Sequence, residues 1–342
     1  MNIAITALLL LFTSIPILEC TDIDVVANFG AVADGQTDLS QPLMNAWKEA
    51  CASPEAVNIV IPEGTYLLSE ATLNGPCQAP ISLQLQGTLM APEDPTVFKE
   101  ATWNIRFHVV KNSLIQDITT KDSKQFHVNV LGCSNITFQS FTVSAPEESL
   151  NTDGIHIERS DGVYILDSKI GTGDDCVSLG DGSNNVKVQG VTCGPGHGIS
   201  IGSLGKYKNE EPILGVFVTQ CTFANTMNDI SSDITMDNVG NPILVDQEYC
   251  PWNQCDLSVP SRVELSKLSF KNIRGTSKTQ IAVKLICSSG LPCDEVELAD
   301  IDLTYNGPEG PAISQCSNVH PALSGVQNPA ACSSEPTGEA AP

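Results

Sequence analysis

The chain has 342 residues, 41% of them hydrophobic and 5% aromatic, with 26 Gly, 21 Pro and 13 Cys. Its 17 basic and 40 acidic residues leave a formal charge of −23, which argues against nucleic acid as a partner, because phosphate neutralisation needs a basic surface. The apolar content can fill a sizeable core, and the Gly and Pro content suits many short strands joined by turns.

Residues 4–18 form an uncharged apolar run, too short to span a bilayer comfortably, and residues 1–20 read as a secretory signal peptide. No later segment could span a membrane, so no membrane partner is expected. Ser40–Cys51 predicts a helix with Ser40 as N-cap and Pro42 in the first turn. Leu43, Ala46, Trp47 and Ala50 share one face, which suits a cap over the open end of a repeat array. Strands follow at Val57–Ile61, Thr65–Leu68, Ile81–Leu85 and Thr88–Met90, then at Ile105–Val109, Leu114–Thr119, His127–Val130 and Ile136–Val143. Val163–Ile170, Val186–Cys193, Val216–Phe223, Leu265–Ile273, Ile281–Ile286 and Val296–Thr304 continue the series. Their spacing leaves no room for the long helices of an α/β fold. One domain spanning 21–332 is expected, with residues 333–342 a disordered tail.

Three runs between Asn151 and Ser203 share a pattern: Asp153–Ile157, Asp175–Leu179 and His197–Ile201. Their first residues are spaced by 22 positions each time (175 − 153 and 197 − 175). A fixed period of short strands is the mark of a solenoid. One coil per period stacks Asp153, Asp175 and His197 in one column, roughly 4.8 Å apart, with Asp174 alongside. Taken singly, an Asp in a turn usually bonds its own backbone, and a His between glycines is usually a loop residue. The shared spacing changes that reading. Close carboxylates cannot all ionise easily, so one holds a proton at mildly acid pH, giving an acid and one or two bases. That is the equipment of glycoside hydrolysis.

If Cys20 leaves with the signal, 12 cysteines remain, an even number that fits disulfides in an oxidising compartment. Cys250/Cys255, Cys287/Cys293 and Cys316/Cys332 could each staple a local loop, although connectivity does not follow from sequence. No CxxC pair occurs, and neither metal nor cofactor is expected. Asn135-Ile136-Thr137 is an N-glycosylation sequon that secretion makes usable.

The motifs Asn151-Thr152-Asp153-Gly154, Gly173-Asp174-Asp175-Cys176 and Gly196-His197-Gly198-Ile199-Ser200-Ile201-Gly202-Ser203 together resemble three signatures of the plant polygalacturonases of glycoside hydrolase family 28. Asn241-Pro242-Ile243 through Asp246-Gln247, and Tyr249-Cys250-Pro251-Trp252, match the plant branch, most closely the exopolygalacturonases of pollen. The resemblance runs from about Asp24 to Cys332. It implies an all-β fold, a right-handed single-stranded parallel β-helix with an N-terminal capping helix. It implies secretion to the cell wall and inverting, exo-acting hydrolysis of α-1,4 bonds in pectate by a monomer. By position, Asp174 is the general acid, Asp153 and Asp175 hold and activate the water, and His197 assists the acid. Asn151 contacts substrate, and Cys176 and Cys193 form a disulfide beside the site. Stacked coils by themselves suggest the roughly 5–5.5 Å carboxyl spacing of retaining enzymes, not the roughly 6.5–9.5 Å of inverting ones.

The family's Arg-Ile-Lys signature, which grips the substrate carboxylate, should follow Asn225-Thr226-Met227-Asn228, but Asp229-Ile230-Ser231 follows instead. About one coil is expected to be missing there, and a second gap is expected between Trp103 and Asn104. Lys206, Lys208 or Lys284 could replace the lost clamp, although surface lysines are ordinarily solvated. Weak activity is therefore an expectation. Two other functions compete: a pectin-binding β-helix without catalysis, and a calcium-dependent pectate lyase, for which the lone arginine of the 151–203 stretch, Arg159, would be the base.

Overall fold

The computed structural model describes residues 21–94, 103–202, 210–227, 234–249 and 259–332. The expected signal peptide and tail, Lys206, Lys208, Cys250 and Cys255 lie outside them. The described chain winds as an all-β parallel solenoid: every strand pair is parallel, and the strands stack into three long sheets and a short fourth one of Ile243–Asp246, Ile281–Ile286 and Ile313–Ser317. Ile136, Val163 and Val186 stack in the first sheet, and Val128, Ile155, Val177 and Ile199 in the third. Alternation makes this possible, since every second side chain points inward and meets the same position one coil on. Aromatic rings bind the lower coils together. Phe107 meets Phe138 edge-on at 5.6 Å, and Phe138 meets Phe141 at 5.8 Å.

Helix α1 (Val25–Phe29) and helix α2 (Ser40–Cys51) stand at the N-terminal end. α2 buries Leu43, Ala46, Trp47 and Ala50 as its spacing predicts, and Trp47 packs edge-on against Phe107 at 6.0 Å. The expected cap differs. Leu39 is the N-cap, and Ser40 is already helical, its hydroxyl donated to Asp38.

Several predicted strands are two strands around a corner. Ile136–Val143 splits into Ser134–Gln139 and Thr142–Ser144, and Val163–Ile170 into Asp161–Leu166 and Lys169–Gly171. The corner residues Ser140 and Asp167 have φ of 52° and 48°, left-handed conformations that turn the chain from the first sheet into the second.

The expected missing coil has a structural signature. The second sheet is continuous through twelve strands, and successive partners in it are normally 23 to 39 residues apart. Thr222 pairs with Thr235, a step of only 13 (235 − 222). At the same point the first sheet ends, at Leu214–Thr219, and the third sheet breaks between Gly198–Ile201 and Ile243–Asp246. Among the described residues the first sheet does not resume and the third is interrupted, while the second closes over the short step. The expected gap at Trp103 leaves no such break. Trp103–His108 is one continuous strand, paired to Ala71–Asn74 on one side and Phe126–Leu131 on the other.

Among the described residues the cystine pairs are Cys51–Cys77, Cys176–Cys193, Cys287–Cys293 and Cys316–Cys332. Cys133 and Cys221 lie buried in the core outside these pairs, where they pack as small apolar residues with Sγ 3.4 Å from the Phe107 carbonyl oxygen and 3.3 Å from that of Thr219 respectively.

Candidate active site

The site forms where the chain enters the third-sheet strands Ile155–Glu158, Asp175–Leu179 and Gly198–Ile201. The 22-residue spacing holds within the strands, where Ile155 faces Val177 and Val177 faces Ile199. It slips at the strand entrance. A bulge between Asp175 and Val177 sets Asp175 opposite Gly198. The expected single column therefore holds for Asp153 and Asp175, while His197 moves aside and meets Asp174, with Nδ1 3.0 Å from Oδ1. Gly196 makes this turn possible: its φ is +145°, and a Cβ there would lie 2.6 Å from the Asp174 carbonyl oxygen. That oxygen accepts from the His197 N–H at 2.7 Å.

Asp153 is buried and accepts the Ser178 hydroxyl proton at 2.5 Å. Asp175 accepts from the Ser200 hydroxyl. Asp174 accepts from its neighbour's N–H at 3.0 Å and from the Asn151 backbone N–H at 3.2 Å. Asn151 reaches the cluster through its backbone, with φ 57° and an exposed side chain.

Burial pushes Asp175 up to about 7, with the Asp153 charge adding to it. Burial likewise raises Asp153 to about 6, aided by Asp174 and opposed by the Ser178 hydrogen bond. Burial, the largest single influence, would raise Asp174, but the His197 hydrogen bond and charge, together with the N–H groups of Asp175 and Asn151, hold the carboxyl below its ordinary value. That same bond lifts His197 above its ordinary value, against burial. The cluster thus contains an ion pair, Asp174 with His197, beside two carboxyls that compete for a proton. Ligand atoms of Asp174, Asp175 and His197 lie within 4.8 Å of one another, close enough for one cation to bridge, although the Asp174–His197 bond already engages two of those residues.

The remaining candidates are engaged with other partners. Lys284 is tied to Asp246 at 2.6 Å. Arg159, the base a lyase would need, is bonded to Asp181 at 3.2 Å. Asn135 is exposed near the start of the strand Ser134–Gln139, with φ 53° and its amide donating to Asn112 at 2.8 Å. Ser178, Ser200 and His156 belong to the site and escape a reading of sequence based on ionisable strand openers. Their signal is the same period one step further in, since His156 faces Ser178 and Ser178 faces Ser200.

The pattern of glycosyl hydrolases family 28 matches residues 94–232 and 230–332, and the two pieces meet where the sheets break. A polygalacturonase of Gossypium hirsutum is 50% identical over 384 aligned positions, covering 95% of this chain and 94% of the relative. As 95% of 342 residues is about 325, roughly 59 of those positions (384 − 325) have no counterpart here. An exopolygalacturonase of Oenothera organensis is 49% identical over 355 positions, covering 86% of this chain and 98% of its own. Among solved structures, an endo-xylogalacturonan hydrolase of Aspergillus tubingensis superposes with a TM-score of 0.67 at 22% identity, covering 86% of this chain and 98% of its own.

Proposed function

The chain belongs to glycosyl hydrolases family 28, and on that premise we propose that it is a secreted, exo-acting hydrolase of pectate, cleaving α-1,4 bonds between galacturonate units with inversion. The observation that carries this reading is the convergence of Asp153, Asp174, Asp175 and His197 on adjacent coils at one strand entrance. Asp174 protonates the leaving glycosidic oxygen. Its proton comes along the 3.0 Å bond from His197, so the pair acts as one acid. Asp153 and Asp175 hold the attacking water, and the ionised member of the two takes its proton. Ser178 and Ser200 pin these carboxyls, which favours holding water over attacking the sugar, and this supports inversion despite the close spacing. Secretion is supported by the four disulfides among the described residues, since such bonds persist in oxidising compartments. Glycosylation at Asn135 is supported by that residue's exposure.

A second reading, a pectin-binding protein with little turnover, is favoured by one observation. The third sheet breaks immediately beyond His197, where the family's anion clamp would stand. Product sizing from a defined oligogalacturonide separates the two, with the anomer followed by proton NMR. Stepwise monomer release with an inverted anomer supports the hydrolase, whereas binding without products supports the second reading.

A further inference from the structure

Next to Asp153 lies a chain of polar contacts whose direction can be worked out. The Ser178 hydroxyl has one proton, and it goes to Asp153 Oδ2 at 2.5 Å. Ser178 Oγ also lies 2.7 Å from His156 Nδ1, so in that contact the oxygen accepts and Nδ1 carries a proton. On the far side of the ring, Nε2 lies 3.2 Å from Glu158 Oε1. A ring protonated on both nitrogens satisfies both contacts at once. Phe126 stacks on that ring at 4.4 Å with 23° between the planes, so the imidazole has little freedom to turn. Ser178 is buried and His156 nearly so.

We propose that His156 is a positioning residue of this hydrolytic site: through Ser178 it directs one hydrogen bond at Asp153, leaving the other carboxylate oxygen for the attacking water, while Glu158 anchors the ring. The inference rests on the reading that Asp153 holds the water. The charged groups around the relay are consistent with it. Asp153 faces Asp174, Asp175, His156 and His197, and Glu158 lies in the field of Arg159 and Arg106 as well as His156. The Ser178 hydrogen bond and the His156 charge both favour the ionised form of Asp153, against burial. Removing either should therefore make Asp153 hold its proton to higher pH.

The test is the pH profile of kcat/KM for the full chain and for His156→Gln, Ser178→Ala and the double variant. The acid limb should move to higher pH by roughly half a unit to one unit in each single variant, with KM little changed. Because the two residues share one hydrogen-bond chain, the double variant should move by less than the sum of the two single shifts, the remainder being the direct charge of His156, whose Nδ1 is 4.0 Å from Asp153 Oδ2. Ser178→Thr keeps the hydroxyl and should restore the limb. A uniform fall in kcat with the limb fixed, or additive shifts, would overturn the proposal. Carbon-13 NMR titration of the Asp153 carboxyl in the wild-type chain and in His156→Gln needs no turnover. A titration unmoved by His156→Gln overturns the relay even in an active enzyme. A moved titration in a chain that releases no product keeps the relay and removes the hydrolase reading.

Discussion

Asp175 sits where a carboxyl prefers its proton, and that preference has a consequence for stability. Its value in the fold is raised to about 7, so the fold is favoured while the proton stays on and loses that advantage as pH rises through 7. Asparagine carries no charge at any pH. Asp175→Asn should therefore stabilise the fold at pH 8 by on the order of 2 kcal/mol, with no gain below about pH 4, while abolishing turnover. Denaturant midpoints at the two pH values check this. An equal gain at both would mean that the effect is packing and not ionisation. The openers Asp153, Asp175 and His197 were legible in the sequence because ionisable residues at a constant spacing stand out. Ser178 and Ser200 were not, because a serine inside an apolar strand looks like any other outward residue. The bulge that turns His197 toward Asp174 was not legible either. It depends on one extra residue of backbone, and a spacing of 22 does not reveal where in the strand the slip falls.

At the scale of elements, the corners explain why predicted strands ran too long. Asp117, Ser140, Asp167, Gly190 and Gln220 occupy the same corner on successive coils, all with left-handed φ. Only one of the five is glycine, and apolar residues lie on both sides of each bend, so a pattern of hydrophobicity runs through it without interruption. Strand positions and core residues were legible because inward alternation is strict. Corner positions were not, since Asp, Ser and Gln adopt that conformation without announcing it. The Cys176–Cys193 bridge joins the strand carrying Asp175 to the second sheet across a separation of 17 residues. Replacing both cysteines with alanine should cost about 3 kcal/mol, read from the shift in thermal or denaturant midpoint. A change well under 1 kcal/mol would mean that packing alone fixes this strand.

For the whole molecule, charge and the interrupted sheets act together. This pectin-degrading hydrolase carries −23 and meets a polyanion. Among the described residues, Lys284, a candidate replacement for the lost clamp, is already paired with Asp246. Mutual repulsion should then limit affinity, and salt should relieve it. KM for polygalacturonate should fall about two- to threefold as ionic strength rises from about 0.01 M, where the Debye length is about 30 Å, to about 0.15 M, where it is about 8 Å. A KM that rises over the same range would reveal a cationic clamp that this account lacks. The deletion itself was legible, because the sequence skips a motif between two stretches that keep the family's order. Its structural form was not. Only the pairing of Thr222 with Thr235 shows that the second sheet closes over the loss while the first and third are interrupted.

The central claim is that the Asp174–His197 pair delivers the proton that breaks the glycosidic bond. Reducing-end release from polygalacturonate by the wild-type chain and by Asp174→Asn tests it most directly, with circular dichroism confirming that both are folded. The account predicts measurable release by the wild type and a loss of about 10²–10⁴-fold in kcat for the variant. Equal release by the two, or an unsaturated, ultraviolet-absorbing product from either, would contradict it.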